Sequence, residues 1–591
     1  MFNGKNSDNI LDQALAKCQN AFVATFFFAF AVNVLMISVP LYSLQVYDRV
    51  ISSGSIDTLV NLTIVMIGIF VALNLLQAVR SFTLIRIGEW LDKALSPVFF
   101  ANSVASSAIR PGSGSSQSLR DLNAVRGFLT SAGINTLFDA PWTFVYIIVI
   151  FMIHPSLGIL SVFGGLFLFG MALLNAYATN DTLKQANEYS MKSLNLAEIA
   201  TRNAESIEAM GMMSAIVRNW HKMSDRALDL QSIASNRNGI ISAFTKFIRL
   251  VLQIAVTGLG AYYVLRNEMT SGGLIASSTL IGRALSPFEA SIEVWKSLTS
   301  AWQSYKRLKD SLVKTPSRHD SMSLPVPHGK LSVESVFFAP PVVVTPQQQQ
   351  QGNNPVKQTL RGVTFALEAG DILAIVGPSA AGKSSLAKLI TGVWKPLSGT
   401  VRLDGADVYT WNRDDFGKHV GYMPQGVELF SGTVKDNIAR MDTDALPEDI
   451  VAAAKMAGVH EMILRLPNGY ETDIGIAGTA LSAGQRQRVG LARAYFGDPK
   501  FVVLDEPNAN LDESGDAALV QALINAKSRH ITTIIISHRP AILANVDKIL
   551  VLNEGMVTAF GPRDDVMAKF AQRPQPVPVS QPAIAGSRPN S

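Results

Sequence analysis

Two stretches of this chain carry residue types at spacings that suit phosphate chemistry. The first, Gly377-Pro378-Ser379-Ala380-Ala381-Gly382-Lys383-Ser384, fits the pattern G-x-x-x-x-G-K-[ST]. Glycines let the backbone wrap phosphate oxygens, and the amides at a following helix N-terminus donate to them. Lys383 supplies a cation for the β- and γ-phosphates of a nucleoside triphosphate. The Ser384 hydroxyl is a candidate Mg2+ ligand of the usual oxygen kind, and Ser385 continues the same turn. A β-rich run, 372–376, precedes the glycines and a helical pattern, 385–390, follows them. The second stretch is Phe501-Val502-Val503-Leu504-Asp505-Glu506. Its apolar residues read as a buried parallel strand, and its two carboxylates fall at the C-terminal end, where open α/β sheets bind ligands. Asp505 is placed to hold Mg2+, directly or through water. Glu506 is placed to accept a proton from the attacking water or to orient it. A chance glycine-rich turn or a plain strand end would explain either stretch alone; their order and spacing together argue for nucleotide hydrolysis.

Between them lies Leu481-Ser482-Ala483-Gly484-Gln485-Arg486-Gln487-Arg488. It resembles the LSGGQ signature of ATP-binding-cassette proteins, with Ala483 in place of the first glycine. Ala483 adds one methyl group where backbone approach is close, a change expected to be tolerated. The resemblance implies that Ser482, Gly484 and Gln485 of one subunit cover the ATP held by the phosphate loop of the other, so the working unit is a homodimer. It further assigns Gln425, in Tyr422-Met423-Pro424-Gln425, as the glutamine that touches Mg2+ and senses the membrane domain. Asp512, in Asn510-Leu511-Asp512, matches the D-loop. His538, between Ser537 and Arg539, matches the switch histidine at the γ-phosphate. One family element departs. The aromatic residue that stacks on adenine is expected near Pro340, where the chain reads Val336-Phe337-Phe338-Ala339-Pro340-Pro341. Phe337 or Phe338 is left for that role, one of them being core by alternation.

The elements that position these residues follow from where the apolar residues fall. They concentrate before about residue 300, and strand-like and helical runs alternate after it, as in an α/β domain. A membrane helix needs roughly 20 mostly apolar residues. Six spans meet this: 22–46, 57–79, 136–154, 156–177, 240–265 and 271–295. Lys246, Arg249, Arg283, Glu289 and Glu293 interrupt the last two. They either line a polar path through the membrane or lie near span ends and pair with one another. Asp48 and Arg49, in a short outer loop, read as an ion pair or a helix cap. Lys and Arg gather in the segments 80–135 and 180–239, which places those loops and both termini in the cytoplasm. Inner loops of that length read as helical extensions of the spans. Within them, 111–118 and 202–212 are the stretches expected to dock near Gln425.

The expected fold is therefore a six-helix membrane domain, 1–315, a linker, 316–329, and an α/β cassette, 330–570. A disordered Pro-, Ser- and Gln-rich tail, 571–591, follows. A glutamine-rich insert, 345–355, reads as a surface loop. The net charge of +5 accompanies basic residues clustered between spans, so a membrane partner is expected rather than nucleic acid. The single cysteine, Cys18, excludes an intrachain disulfide and reads as an ordinary small side chain. The first apolar run is too long for a signal h-region and lacks a small-residue cleavage site.

The membrane half carries a narrower resemblance. Tyr47-Asp48-Arg49-Val50-Ile51, Phe138-Asp139-Ala140-Pro141-Trp142 and His154-Pro155-Ser156-Leu157-Gly158, together with the phosphate loop and the Phe-Ala-Pro-Pro stretch, resemble type I secretion permease/ATPases of the PrtD kind. That branch lacks a peptidase-like domain ahead of the first span, and none is expected here, where fewer than about 25 residues precede it. The resemblance implies ATP-driven export of a polypeptide across the bacterial inner membrane, through a periplasmic adaptor and an outer-membrane channel. A lipid or multidrug exporter of the same fold is the alternative.

Overall fold

The computed structural model describes residues 10–109, 117–314, 324–340 and 358–571. The insert 345–355, the tail 572–591 and most of the stretch 111–118 lie outside the described residues. The chain divides into two compact units, one of 1–107 and 112–316, the other of 108–111 and 317–591.

Long helices build the first unit: Ile56–Ile109 of 54 residues, Pro155–Arg202 of 48, Met213–Leu265 of 53 and Ser271–Lys314 of 44. At 1.5 Å per residue these run roughly 65–80 Å, more than twice the roughly 30 Å hydrocarbon core of a bilayer. The described parts of the long loops between spans are thus helical continuations of the spans, as their length suggested. A short helix, Ala204–Ala209, turns one long helix into the next. Among the described residues, five helical stretches are long and apolar enough to cross a membrane: Gln19–Ser53, Ile56–Ile109, Gly133–Ile153, Pro155–Arg202 and Met213–Leu265. The sixth expected span, 271–295, is helical within Ser271–Lys314 but is not among those five. Its charged residues dilute its hydropathy.

Lys246, Arg249, Glu289 and Glu293 are paired across two helices. Lys246 Nζ lies 2.9 Å from Glu293 Oε1 and 3.6 Å from Glu289 Oε1, and Arg249 Nε lies 2.7 Å from Glu289 Oε2. Opposite charges on two packed helices neutralise one another, which lowers the cost of placing them among apolar residues. Asp48 acts as a cap: its Oδ1 accepts from the backbone N–H of Gly272 at 2.8 Å, in the first turn of Ser271–Lys314. That N–H has no partner within its own helix. Cys18 is buried with Leu11, Ala14, Leu84 and Leu91 in one apolar cluster, as a small side chain would be.

The described residues of the second unit form two sheets. β1 (Leu331–Phe338), β2 (Leu360–Leu367), β4 (Ser398–Leu403) and β5 (Ala406–Asp407) form an antiparallel sheet in the order β2-β1-β4-β5. β3 (Ile372–Val376), β6 (Val420–Met423), β7 (Phe501–Asp505), β8 (Thr532–Ile536), β9 (Lys548–Asn553) and β10 (Met556–Pro562) form the other, in the order β10-β9-β3-β8-β7-β6. All its pairings are parallel except β9 with β10. Successive side chains of a strand point to opposite faces. Accordingly Ile372, Ala374, Val502 and Leu504 join a core with the helix Ala483–Tyr495, and Leu373, Ile375, Phe501 and Val503 join a second core with the helix Lys383–Ile390. With both faces covered, the central strands read as unbroken apolar runs. The end of the expected linker belongs to this unit, since the backbone N–H groups of His328, Gly329 and Lys330 donate to the Asp404 carboxylate at 2.6, 2.9 and 3.1 Å.

Candidate nucleotide site

The C-terminal ends of four parallel strands carry the expected site. β3 runs into Gly377, β6 into Gln425, β7 into Glu506 and β8 into His538. Loops at that edge of an open α/β sheet converge because the strands are parallel.

The phosphate loop depends on its glycines. Gly377 has a φ of 154° and Gly382 a φ of 101°. A methyl group on Gly377 would stand 2.0 Å from the Leu552 carbonyl oxygen, and one on Gly382 would stand 2.7 Å from Leu360 Cδ2. At Gly377 the backbone carbonyl leaves no room for a side chain, and at Gly382 Leu360 would have to shift and the positive φ would strain any other residue. Between them Pro378, Ser379 and Ala380 are exposed, and the Ala381 N–H closes a turn by donating to Pro378 O at 3.2 Å. Gly382 then caps the helix Lys383–Ile390, whose first residues are Lys383, Ser384 and Ser385. The first N–H groups of that helix therefore face the loop. Lys383 is 7% exposed, and its Nζ donates to Gly377 O at 2.6 Å and Pro378 O at 3.1 Å. Its ammonium thus sits inside the curl of the loop.

Beside the loop, Ser384 Oγ donates to Asp505 Oδ1 at 3.3 Å. Asp505 is 2% exposed. Burial pushes its carboxyl above the ordinary aspartate range; the Ser384 hydroxyl works against that shift, and the charge of Glu506 adds to it. A buried carboxylate next to a hydroxyl is an oxygen donor set that suits Mg2+. Next to it, Gln425 Nε2 donates to Glu506 Oε2 at 2.9 Å. Glu506 has a φ of 49°, and its N–H donates to Ile536 O at 3.1 Å. His538 follows β8 and is exposed. Ser537, just before it, donates to Asn508 Oδ1 at 2.9 Å.

The signature residues begin the helix Ala483–Tyr495 as a capping box. Ser482 Oγ accepts from Gln485 N at 3.2 Å, and Gln485 Oε1 accepts from Ser482 N at 2.9 Å. Ala483 is exposed at the first helical position, so its methyl group meets no obstruction within the chain. A methyl group on Gly484 would stand 3.0 Å from Asn510 O, so glycine there lets the D-loop approach. Asp512 caps the next helix, Glu513–Ser528, accepting from Gly515 N at 2.8 Å. That bond, with Ser514 and Arg488, holds its carboxyl below the ordinary range.

Of the two adenine candidates, Phe338 is taken by the core. It is 3% exposed and its ring stacks on Trp394 at 4.9 Å. Phe337 is half-buried over Gly362 and is the one left with an accessible ring, while Pro340 is exposed.

Two side chains escaped the reading of the sequence. Gln487 stands between two arginines, where a solvated face is the natural expectation. Its spacing from Gly490, Leu491 and Ala494, all buried, places it on the apolar stripe of its helix, and that was the available signal. Arg440 has no such signal. It reaches the carbonyls of Arg493 and Ala494 from about fifty positions away in the sequence.

Known proteins match both halves. Family models describing the ABC transporter transmembrane region and the ABC transporter domain match residues 22–287 and 360–509. The type I secretion system ATP-binding protein PrsD of Rhizobium meliloti is 41% identical over 97% of this chain and 96% of its own. This chain belongs to the ABC transporters of type I secretion. The toxin RTX-I translocation ATP-binding protein of Actinobacillus pleuropneumoniae is 26% identical over 94% of this ABC transporter and 77% of its own length. A bacterial Atm1-family ABC exporter solved with ATP bound has the same fold, with a TM-score of 0.79 over 93% of this chain and 97% of that one, at 21% identity. The protein is accordingly an ATP-driven exporter, with a multi-pass membrane unit and an ATPase unit.

Proposed function

We propose that this ABC transporter energises secretion of a polypeptide. It works as a homodimer in the bacterial inner membrane, with both termini cytoplasmic, and hands its cargo to a periplasmic adaptor and an outer-membrane channel. The observation that carries this reading is similarity along 97% of the chain, membrane unit included, to a type I secretion ATP-binding protein. The basic inner segments support the orientation.

At the nucleotide site, Lys383 and the N–H groups of the loop 377–385 bind the β- and γ-phosphates of ATP, the substrate. Ser384 Oγ, Asp505 and the carbonyl oxygen of Gln425 are the groups that would hold Mg2+, which when bound neutralises phosphate charge. Burial makes an ionised Asp505 costly on its own, so a cation site there is chemically consistent. Glu506 takes the proton of the attacking water, and Gln425 Nε2, at 2.9 Å, keeps its carboxylate aimed. His538 reaches the γ-phosphate from the end of β8. Ser482, Gly484, Gln485 and Asp512 serve the nucleotide of the opposite subunit. Phe337 offers a ring to adenine. The stretches 111–118 and 202–212 pass closure of the dimer to the spans.

Purification from membranes with adaptor and candidate cargo, following ATPase activity as each is added, tests this reading. Co-purification and a cargo-dependent change in rate are expected. Stimulation by lipids or small drugs, with no protein partner retained, would replace it with a lipid or multidrug exporter.

A further inference from the structure

Gln487 is 3% exposed on the signature helix. A buried amide has donors and an acceptor to satisfy, and here each finds a partner. Its Nε2 donates to Pro507 O at 2.6 Å and lies 3.2 Å from Glu506 O; its Oε1 accepts from Asn510 N at 3.0 Å. All three partners are backbone atoms of one short segment, 506–510, which leaves β7 as a bend and a run of turns. Such a segment has no ladder of its own to hold it. It also starts from a non-glycine residue in the left-handed region, Glu506, with a φ of 49°. That conformation is sparsely populated and persists only where surrounding contacts impose it. β8 holds one side through Glu506 N and Ile536 O at 3.1 Å. Gln487 holds the other.

We propose that Gln487 is a positioning residue for ATP hydrolysis. By clamping the backbone of 506–510 it fixes the direction in which the Glu506 side chain leaves the strand. The same clamp joins Glu506 to the helix whose first turn carries Ser482 and Gly484, so movement of that helix is passed to the base. The proposal rests on Glu506 acting as the base.

The test uses the full-length protein in lipid nanodiscs. Gln487→Met keeps length and volume and removes the donors and the amide oxygen. Its kcat is expected to fall about ten- to a hundredfold, since small misplacements at a reacting centre have effects of that order. KM for ATP should stay within about threefold, because no phosphate contact is lost. In single turnover, Glu506→Gln and the double variant should hydrolyse at rates within about twofold of each other, since aiming is irrelevant once the base is gone. A kcat for Gln487→Met equal to wild type, or an equal loss in both backgrounds, would overturn the proposal; the latter would make Gln487 a merely structural residue. If the methionine variant does not assemble, Gln487→Glu keeps the volume and an acceptor for Asn510 N–H, and is read in the same way. Full turnover in Glu506→Gln alone would remove the base assignment and this proposal with it. An inactive Glu506→Gln beside an unimpaired Gln487→Met would remove this proposal only.

Discussion

In the proposed reading, the residue that most directly decides turnover is Glu506. Its carboxylate is within hydrogen-bond reach of Gln425, and its backbone is pinned on both sides. Replacing it with glutamine keeps shape and removes the proton acceptor. Steady-state hydrolysis should fall by about 10²–10⁴-fold, the usual contribution of a general base. ATP affinity, which depends on Lys383 and the loop amides, should stay nearly unchanged. Parallel measurement of ATPase rate and nucleotide binding checks both halves, and a near-normal rate would move the base elsewhere. Asp505 stands in a different setting: it is buried beside the Ser384 hydroxyl, and that burial raises the cost of its ionised form unless a cation stands next to it.

Among the elements, the signature helix Ala483–Tyr495 is secured at both ends. Ser482 and Gln485 satisfy its first N–H groups by the capping box, a pattern written in neighbouring residues. Its last carbonyls depend on Arg440. Nε donates to Arg493 O at 3.1 Å and Nη2 to Ala494 O at 3.2 Å, and Nη1 donates to Gly417 O. Burial, and then the nearby Arg493 charge, push this guanidinium down to about 10, so it is still cationic at neutral pH. Arg440→Met would leave those carbonyls without a partner and should cost about 2–4 kcal/mol. The apparent melting temperature of the purified protein should drop by several degrees. Arg440→Lys should recover only part of this, because an ammonium lacks the planar fork. An unchanged melting temperature for the methionine variant would mean that water caps the helix equally well. Among the long helices, Lys246 and Arg249 of one meet Glu289 of the next, a contact between segments about forty positions apart.

For the whole molecule, the proposed dimer makes a prediction that no single chain can. The phosphate loop and the signature of one chain serve different nucleotides in that arrangement. A Lys383→Ala subunit paired with a Ser482→Arg subunit keeps one intact composite site, whereas either homodimer keeps none. Heterodimers isolated with two affinity tags should recover a clear fraction of wild-type ATPase activity. Activity no higher than in the two homodimers would show that each site is built within one chain.

The nucleotide loop, the strand ending in Asp505 and Glu506, the signature cap and the helical spans were legible in the residues themselves. Each is a local requirement. Gly377 and Gly382 answer to backbone angles and close approach, Ser482 and Gln485 to one helix turn, and the spans to a run of apolar side chains. Other features required the folded chain. Gln487 and the segment it clamps are about twenty positions apart, Arg440 and its carbonyls about fifty, and Asp48 and Gly272 more than two hundred. Phe338 and Phe337 are adjacent, yet Trp394, brought in by β1 and the helix after Gly382, decides which ring is core. Hydrogen-bond partners of buried groups are chosen by proximity in space, which the order of residues does not contain. The sequence alone therefore determined that this protein binds ATP and crosses a membrane, because those properties follow from local backbone geometry and apolar length. Only the tertiary structure decided how Glu506 is held and which charges neutralise each other, because those depend on distances between segments that packing alone brings together.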